Sequence, residues 1–500
     1  KDKSKIVTGD IKDNNKTKTV ISKQLLPIYG DGIHFGLTSK DVKANELTLD
    51  ESFSKEVSKI FEETIKPLKS AQNMKKREKY NSILEGAVVV LADKGKNDLE
   101  VVSMFSYPYP KKLDITKTED YKKEIFRYML LDEFNNPKSS LRNRAMDMRI
   151  RPGSTFKIVS SIAGFKRNII PILDKKYSRY IEGKGDIQGS IFRNNSIVDT
   201  QLKNFSFSNG FVEKTDNATF RNSFKKSYNV YFGYLALMLN HKLDHGFKKE
   251  LYPISNSIKD RENEFSLMRV ADDLGFNRPI VLSKDKKISA PASIFPQQFI
   301  LAKEVADSGI GQFEVAGTPI QMAIVANTIR TRNIEIPKII KSEKSQIVHK
   351  DYIRASTQKA IEDAMRDVII DRDGTAKCAF YYNSFINQAR AYNNKVDPNR
   401  AIGVPCLGYR AKFQKLNPKD FAFSDVAVYG KTGTAEKGKG GLYDGWFVSF
   451  TKSKKRGDIV VAVVVRNSGT GGTYSATINK KVIEAWYRRT QNKKTKEKDK

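Results

Sequence analysis

Cysteine is nearly absent from this 500-residue chain: Cys378 and Cys406 are the only two, and neither belongs to a Cys-x-x-Cys pair. No disulfide framework can therefore hold the fold together. Histidine is almost as scarce, with four in the chain, which argues against a Cys/His zinc site. His241 and His245 stand four apart, a spacing that puts two rings on one helix face. No third ligand sits in sequence range, however, and an exposed helix face explains the pair, so no metal and no cofactor is expected. No run approaches the ~20 apolar residues of a membrane-spanning helix. The most apolar stretches, 230–239 and 459–465, have the lengths of a core helix and a core strand. The chain starts at Lys1 without a signal peptide, so a trimmed chain is expected, with any anchor N-terminal to Lys1. Acidic residues are in deficit, 57 Asp+Glu against 89 Lys+Arg, for a formal charge of +32. Residues 488–500 supply only +5 of it, so the surplus lies mainly on the folded body. Its partner should be anionic: nucleic acid, a membrane surface or a wall polymer.

The remaining composition, 39% hydrophobic and 10% aromatic, is that of a globular protein, and the length calls for two or three cores or one large one with additions. Residues 1–46 are polar and lysine-rich and read as a linker or reduced N-terminal module. Val57, Ile60, Phe61, Ile65 and Leu68 recur at three- and four-residue steps, predicting an amphipathic helix over 54–68. The β-branched runs 86–92 and 99–105, split by a polar turn, predict an antiparallel hairpin. Helices are expected from about 154 to 165, 220 to 239, 318 to 330, 356 to 370 and 476 to 489, and strands at 426–429, 445–450 and 458–465. Residues 181–214 read as a polar loop. Residues 377–416, aromatic, Asn-rich and holding both cysteines, read as a loop insertion, and 490–500 as a basic tail. Early strands, a helical middle and late strands imply an α+β sandwich whose sheet is closed by both ends of the chain.

Three short motifs carry chemistry. In Ser154-Thr155-Phe156-Lys157 a serine and a lysine three residues apart share a helix face. Serine is a weak nucleophile that needs a base, and lysine can serve if burial or a neighbouring cation disfavours its ammonium form. The spacing also occurs at Ser223/Lys226, Ser283/Lys286 and Ser449/Lys452. Only Ser154 follows a Pro-Gly turn and opens an apolar helix; an N-capping serine beside a solvated lysine is the alternative. Ser227-Tyr228-Asn229 offers a hydroxyl and an amide that reach one cleft if a helix breaks there, and otherwise decorate a helix face. Lys431-Thr432-Gly433-Thr434 directly follows a strand. Gly433 would let a substrate backbone approach the strand edge, and Lys431 with the two hydroxyls offers donors to a carboxylate.

Taken in order, these three motifs form the Ser-x-x-Lys, Ser-x-Asn and Lys-Thr-Gly set of β-lactamases and penicillin-binding proteins. With Asn143-Arg144-Ala145, Gly311-Gln312, Thr318-Pro319-Ile320-Gln321-Met322-Ala323, Gly374-Thr375-Ala376 and Gly445-Trp446-Phe447, the chain resembles the transpeptidase domain of class B penicillin-binding proteins. The likeness runs over about 47–489. It implies the penicillin-binding transpeptidase fold, a five-stranded antiparallel sheet flanked by helices with an all-helical subdomain.

The resemblance also implies a reaction. Ser154 would attack the penultimate D-alanine carbonyl of a peptidoglycan stem peptide and would likewise be acylated by β-lactams. Lys157 would take the serine proton, and the Ser154 and Thr434 N–H groups would form an oxyanion hole. Ser227 would pass a proton to the leaving amine, and Asn229 would hold the substrate amide. Lys431, Thr432 and Thr434 would orient the terminal carboxylate, with Gly433 leaving room. The implied setting is the extracytoplasmic face of the cytoplasmic membrane, beside a membrane-embedded glycan polymerase, where the +32 draws the enzyme to anionic polymers. Nucleic acid drops out, because no recognition motif accompanies the charge. A D,D-carboxypeptidase would use the same acylation residues, and a β-lactam sensor would keep Ser154. Class D β-lactamases are disfavoured by their shorter chain and by Ser227-Tyr228-Asn229. Two departures stand out: only some forty residues precede Leu47 where a pedestal module is usual, and about 55 residues separate Gly374-Thr375-Ala376 from Lys431. In an oxidising envelope compartment, Cys378 and Cys406 are expected to pair.

Overall fold

A computed structural model describes residues 46–70, 83–109, 143–176, 219–240, 266–381, 421–435 and 443–498 apart from a few positions within them, with short strands elsewhere. In chain order, the elements that build the site are α1 (Glu51–Ile65), β1 (Gly86–Asp93), β2 (Leu99–Tyr107), α2 (Lys157–Lys166), α3 (Phe220–Lys226) and α4 (Asn229–Asn240). They continue with α5 (Pro319–Thr331), α6 (Ala355–Ile370), β3 (Ala427–Ala435), β4 (Asp444–Lys452), β5 (Ile459–Val465) and α7 (Tyr474–Lys498). Local chemistry explains several starts. Asp50 caps α1 by accepting from the Phe53 N–H at 2.9 Å, and Thr318 caps α5 ahead of Pro319, whose missing N–H costs nothing in the first turn.

The sheet runs β3-β4-β5-β1-β2, antiparallel throughout. As the sequence implied, β5 from the C-terminal half pairs with β1 from the N-terminal half, Ile459 opposite Ala92 through Val465 opposite Gly86. Every residue of β5 is buried. Its uninterrupted Ile-Val-Val-Ala-Val-Val-Val run is what a strand covered on both faces requires, and each such valine contributes about 1.5–3 kcal/mol by leaving water. On β4, Ser449 bonds Asn479 and Thr451 bonds Tyr487, both on α7. Side chains alternate along a strand, so Trp446 lies on the opposite face, where its indole N–H donates to the Arg151 carbonyl at 3.0 Å. One face thus rests on a terminal helix and the other meets the segment carrying Ser154.

Asn143-Arg144-Ala145 has a structural explanation. Arg144 and Glu85 are fully buried and paired at 2.9 Å, and Arg466 joins the same carboxylate. This cluster ties the entrance of β1 to the exit of β5 and to the chain leading toward Ser154.

Several expectations change. The helix expected over 220–239 is two helices, broken at Ser227 and Tyr228. Within 181–214, expected as a loop, short antiparallel strands form at Asp186–Ile187, Ser190–Arg193, Ser196–Asp199 and Phe205–Ser208. Their apolar residues come in runs too short to stand out from polar neighbours. Small hairpins at Ile280–Ser283 with Ile288–Ala290, and at Ile334–Ile336 with Gln346–His349, also interrupt the helical middle. β3, β4 and the last helix run longer than the apolar pattern, because pairing with β4 carries β3 through Lys431-Thr432-Gly433-Thr434, whereas β5 matches its expected range to within a residue. Cys378, on the short helix Lys377–Phe380, is disulfide-bonded. Cys406, most of the 377–416 insertion, and the His241/His245 pair lie outside the described residues.

Candidate active site

Ser154 sits in a 3-10 turn, Gly153–Phe156, that runs directly into α2. Gly153 makes this turn possible. Its φ is +52°, and a Cβ there would lie 2.4 Å from the Thr434 carbonyl oxygen on β3. Only glycine can combine that backbone with so close an approach. Gly433 plays the matching part on the strand, where an added Cβ would meet the Pro152 carbonyl oxygen at 2.6 Å. The serine turn is thereby pressed against the edge strand of the sheet.

Among the described residues no further strand pairs with that edge. The Val428 and Thr434 carbonyls both point away from β4, accepting from Arg366 at 3.0 Å and Gln312 at 3.2 Å. In an antiparallel strand a residue's N–H and C=O face the same side, so the Thr434 N–H also faces outward, beside Ser154.

The second motif lies where α3 ends. The Ser227 N–H bonds the Phe224 carbonyl at 3.2 Å, and the Tyr228 N–H bonds the Ser223 carbonyl at 2.8 Å. This is a helix C-terminus of the Schellman type, with Ser227 in the left-handed position at φ +60°, ψ +42°. Glycine normally occupies that position, and a residue with a Cβ costs roughly 1–2 kcal/mol there. The strained residue is the one whose hydroxyl faces both lysines.

Lys157, with no exposed surface, donates to the Ser227 carbonyl and to Asn229 Oδ1, both at 2.8 Å, with Ser227 Oγ at 3.2 Å. Lys431, equally buried, donates to Ser227 Oγ at 2.8 Å and to the Thr432 carbonyl at 3.0 Å. Burial, and then the charge on Lys431, push the Lys157 ammonium well below the usual lysine range. Burial lowers Lys431 to about 7. A neutral Lys157 amine has two N–H groups, which the Ser227 carbonyl and Asn229 satisfy, so its lone pair is free to take a proton. The Ser154 hydroxyl makes no hydrogen bond to the described residues and is partly open to solvent.

Of the anticipated residues, the structure gathers Lys157, Ser227, Asn229 and Lys431 into one hydrogen-bonded group. Thr432, Gly433 and Thr434 lie on the adjoining strand, and Ser154 on the turn packed against it. Sequence reasoning gave no site role to Thr375, whose hydroxyl lies 2.7 Å from that of Thr432, nor to Gln312 and Trp446, although all three stood in quoted motifs. It passed over the glycine-rich segment after β5. There the Gly471 N–H reaches Thr434 Oγ1 at 3.4 Å, and its run of glycines was the available signal.

An antiparallel sheet whose edge strand carries a buried lysine, facing a helix-borne serine through a shared hydroxyl, defines the serine acyltransferases that recognise penicillin. The model of the penicillin binding protein transpeptidase domain matches residues 86–382 and 413–484. The chain belongs to that family. It is 24% identical over 410 residues to the peptidoglycan D,D-transpeptidase PbpA of Mycobacterium tuberculosis, covering 80% of this chain and 67% of the relative. In fold it is similar to penicillin-binding protein A from M. tuberculosis, solved as a ceftriaxone acyl-enzyme complex (TM-score 0.55, 17% identity, 88% of this chain and 79% of that one). It is also similar to PBP2 of Helicobacter pylori, solved with MreC (TM-score 0.54, 17% identity, 88% of this chain and 63% of that one).

Proposed function

We propose that the chain is a peptidoglycan D,D-transpeptidase in which Ser154 forms the acyl-enzyme with D-Ala-D-Ala stem peptides and with β-lactams. The observation that carries this is the single Ser227 hydroxyl bonded by two buried lysines, one from each neighbouring motif. Lys157 takes the Ser154 proton as the serine attacks the carbonyl of the penultimate D-alanine. The Ser154 and Thr434 N–H groups hold the oxyanion, donors commonly worth about 3–4 kcal/mol each in serine enzymes. Ser227, accepting from Lys431, is free to donate its own proton to the departing D-alanine amine, and Asn229 holds the substrate amide. Lys431, Thr432 and Thr434 orient the terminal carboxylate, while Gly433 keeps the strand edge clear for an extended peptide. An amine of a second stem peptide then attacks the ester, forming the cross-link and freeing Ser154.

Residues 47–489 make up this transpeptidase unit, preceded by a linker or reduced module at 1–46 and followed by a basic tail at 490–500. The family match is interrupted over 383–412, which supports reading 377–416 as an insertion. Among the described residues, no helix is long and apolar enough to cross a membrane. We place the enzyme on the extracytoplasmic face of the cytoplasmic membrane with a membrane-embedded glycan polymerase as partner; protease accessibility in spheroplasts tests the side.

Labelling with fluorescent penicillin tests the site: the wild type forms a covalent adduct and Ser154→Ala does not. Labelling that survives the substitution overturns the assignment. A stem-peptide mimic with an added amine acceptor tests the reaction. Cross-linked product supports transpeptidation, whereas D-alanine release without cross-link shows a carboxypeptidase.

A further inference from the structure

Helix α3, which delivers Ser227, is only seven residues long and carries Arg221, Lys225 and Lys226. All three are paired along one stretch of chain, the last turn of α6 and the residues after it. Arg221 makes a bidentate pair with Asp367, at 3.0 Å for its Nη2. Lys225 meets Asp371 at 2.8 Å, and Lys226 meets Asp373 at 3.5 Å. Two residues further on, the Thr375 hydroxyl bonds the Thr432 hydroxyl on β3 at 2.7 Å. A short segment therefore grips the helix of the second motif with its acids and the strand of the third with a hydroxyl.

We propose that residues 371–375 brace the active site, with Asp371, Lys225 and Thr375 as positioning residues that set the spacing between Ser227 and Thr432. The need for a brace follows from the local physics. Ser227 holds a left-handed backbone that its Cβ disfavours, and such conformations persist only where the surroundings over-determine them. A seven-residue helix has little stability of its own. Lys225–Asp371 is the most enclosed of the two lysine pairs, with side chains 12% and 30% exposed. Burial works against the Asp371 charge, yet the Lys225 bond and the Asp373 N–H outweigh it and hold that carboxyl below the usual range. On the strand side, Thr375 fixes the rotation of the Thr432 hydroxyl, so that it meets a carboxylate already oriented.

This inference rests on the proposed acylation chemistry, and the test separates the two. Stopped-flow acylation by a chromogenic cephalosporin gives the acylation rate constant and the apparent Kd, with melting temperature measured alongside. If the wild type is not acylated, the functional reading fails. If it is, Lys225→Asp and Asp371→Lys should each lose about tenfold in rate constant, and the double exchange should recover to within about threefold of wild type. Thr375→Val should raise the apparent Kd several-fold, while Thr375→Ser stays near wild type. Unchanged kinetics in the folded single variants, or a folded double exchange no better than either single, overturns the brace. Should the charge variants fail to fold, the Thr375 pair decides: equal Kd values for Val and Ser reject it.

Discussion

Replacing Lys431 with methionine should move the pH dependence of acylation as well as its size. Both lysine nitrogens lie within bonding distance of Ser227 Oγ, at 3.2 and 2.8 Å, so they are no more than about 6 Å apart. Two unit positive charges at that separation repel by about 3 kcal/mol at an effective dielectric near 20, a factor of roughly a hundred in a protonation equilibrium. Lys431 is the second of the two causes, after burial, that lower the Lys157 ammonium below the usual lysine range. Lys157 must be neutral to accept the Ser154 proton, so the acid limb of the acylation profile reports its deprotonation. Removing the Lys431 charge makes Lys157 easier to protonate, and the acid limb of Lys431→Met should move to higher pH. The displacement is on the order of two pH units where Lys431 is charged, and smaller where Lys431, at about 7, is itself largely neutral. The assay is the second-order rate constant for fluorescent penicillin from pH 5.5 to 10. Loss of a carboxylate-binding group will lower the whole curve, so the position of the limb is the test and its height is not. Superimposable acid limbs for wild type and variant would refute the electrostatic coupling.

Three further predictions concern stability and packing. Lys431 falls from 10.5 to about 7 on folding, so between these values the unfolded chain binds more protons and the residue costs stability, fully so below pH 7. Lys431→Met should therefore melt higher than wild type at and below pH 7, by no more than about 5 kcal/mol, with the gap closing toward pH 10.5; a pH-independent gap contradicts the lowered value. Gly153→Ala introduces a Cβ 2.4 Å from a strand carbonyl at positive φ. It should cost about 2 kcal/mol or more and at least tenfold in acylation rate, read by thermal melting and penicillin labelling; wild-type behaviour in both would mean that the turn does not depend on the glycine. Glu85→Ala strands the buried Arg144 guanidinium and should lower the unfolding free energy in urea by about 3–5 kcal/mol. A loss below about 1 kcal/mol would show that solvent reaches the cluster.

The legible parts of this protein were those encoded in neighbouring residues. Ser154 and Lys157 share one turn of chain, and Lys431 to Thr434 share one strand. The Val-Val-Val runs of β1 and β5 and the spacing of Val57, Phe61 and Ile65 follow from local periodicity. The break at Ser227 stayed undecided, because no glycine or proline stands at 220–229 to end a helix there. What ends α3 is the capture of Ser227 by two lysines from elsewhere. The strands within 181–214 were missed for a related reason, as each is too short to show a period of two. Thr375 stood in a quoted motif that gave it no partner, and the three aspartates that pair with α3 had no signal beyond an ordinary charged surface.

By itself, then, the sequence carried the family, the order of the three motifs and the placing of Ser154 and Lys157 on one turn of chain, because these depend on residue types at fixed short spacings. Only the tertiary structure decided how the motifs meet. It buries two lysine amino groups around one hydroxyl and presses a glycine turn against a strand edge. It also holds a seven-residue helix in place with acids some 146 positions away in the chain. The physical reason is that desolvation and charge repulsion act through distance in space. A lysine's pKa is set by what is folded around it, and the sequence on either side of Lys157 says nothing of Lys431.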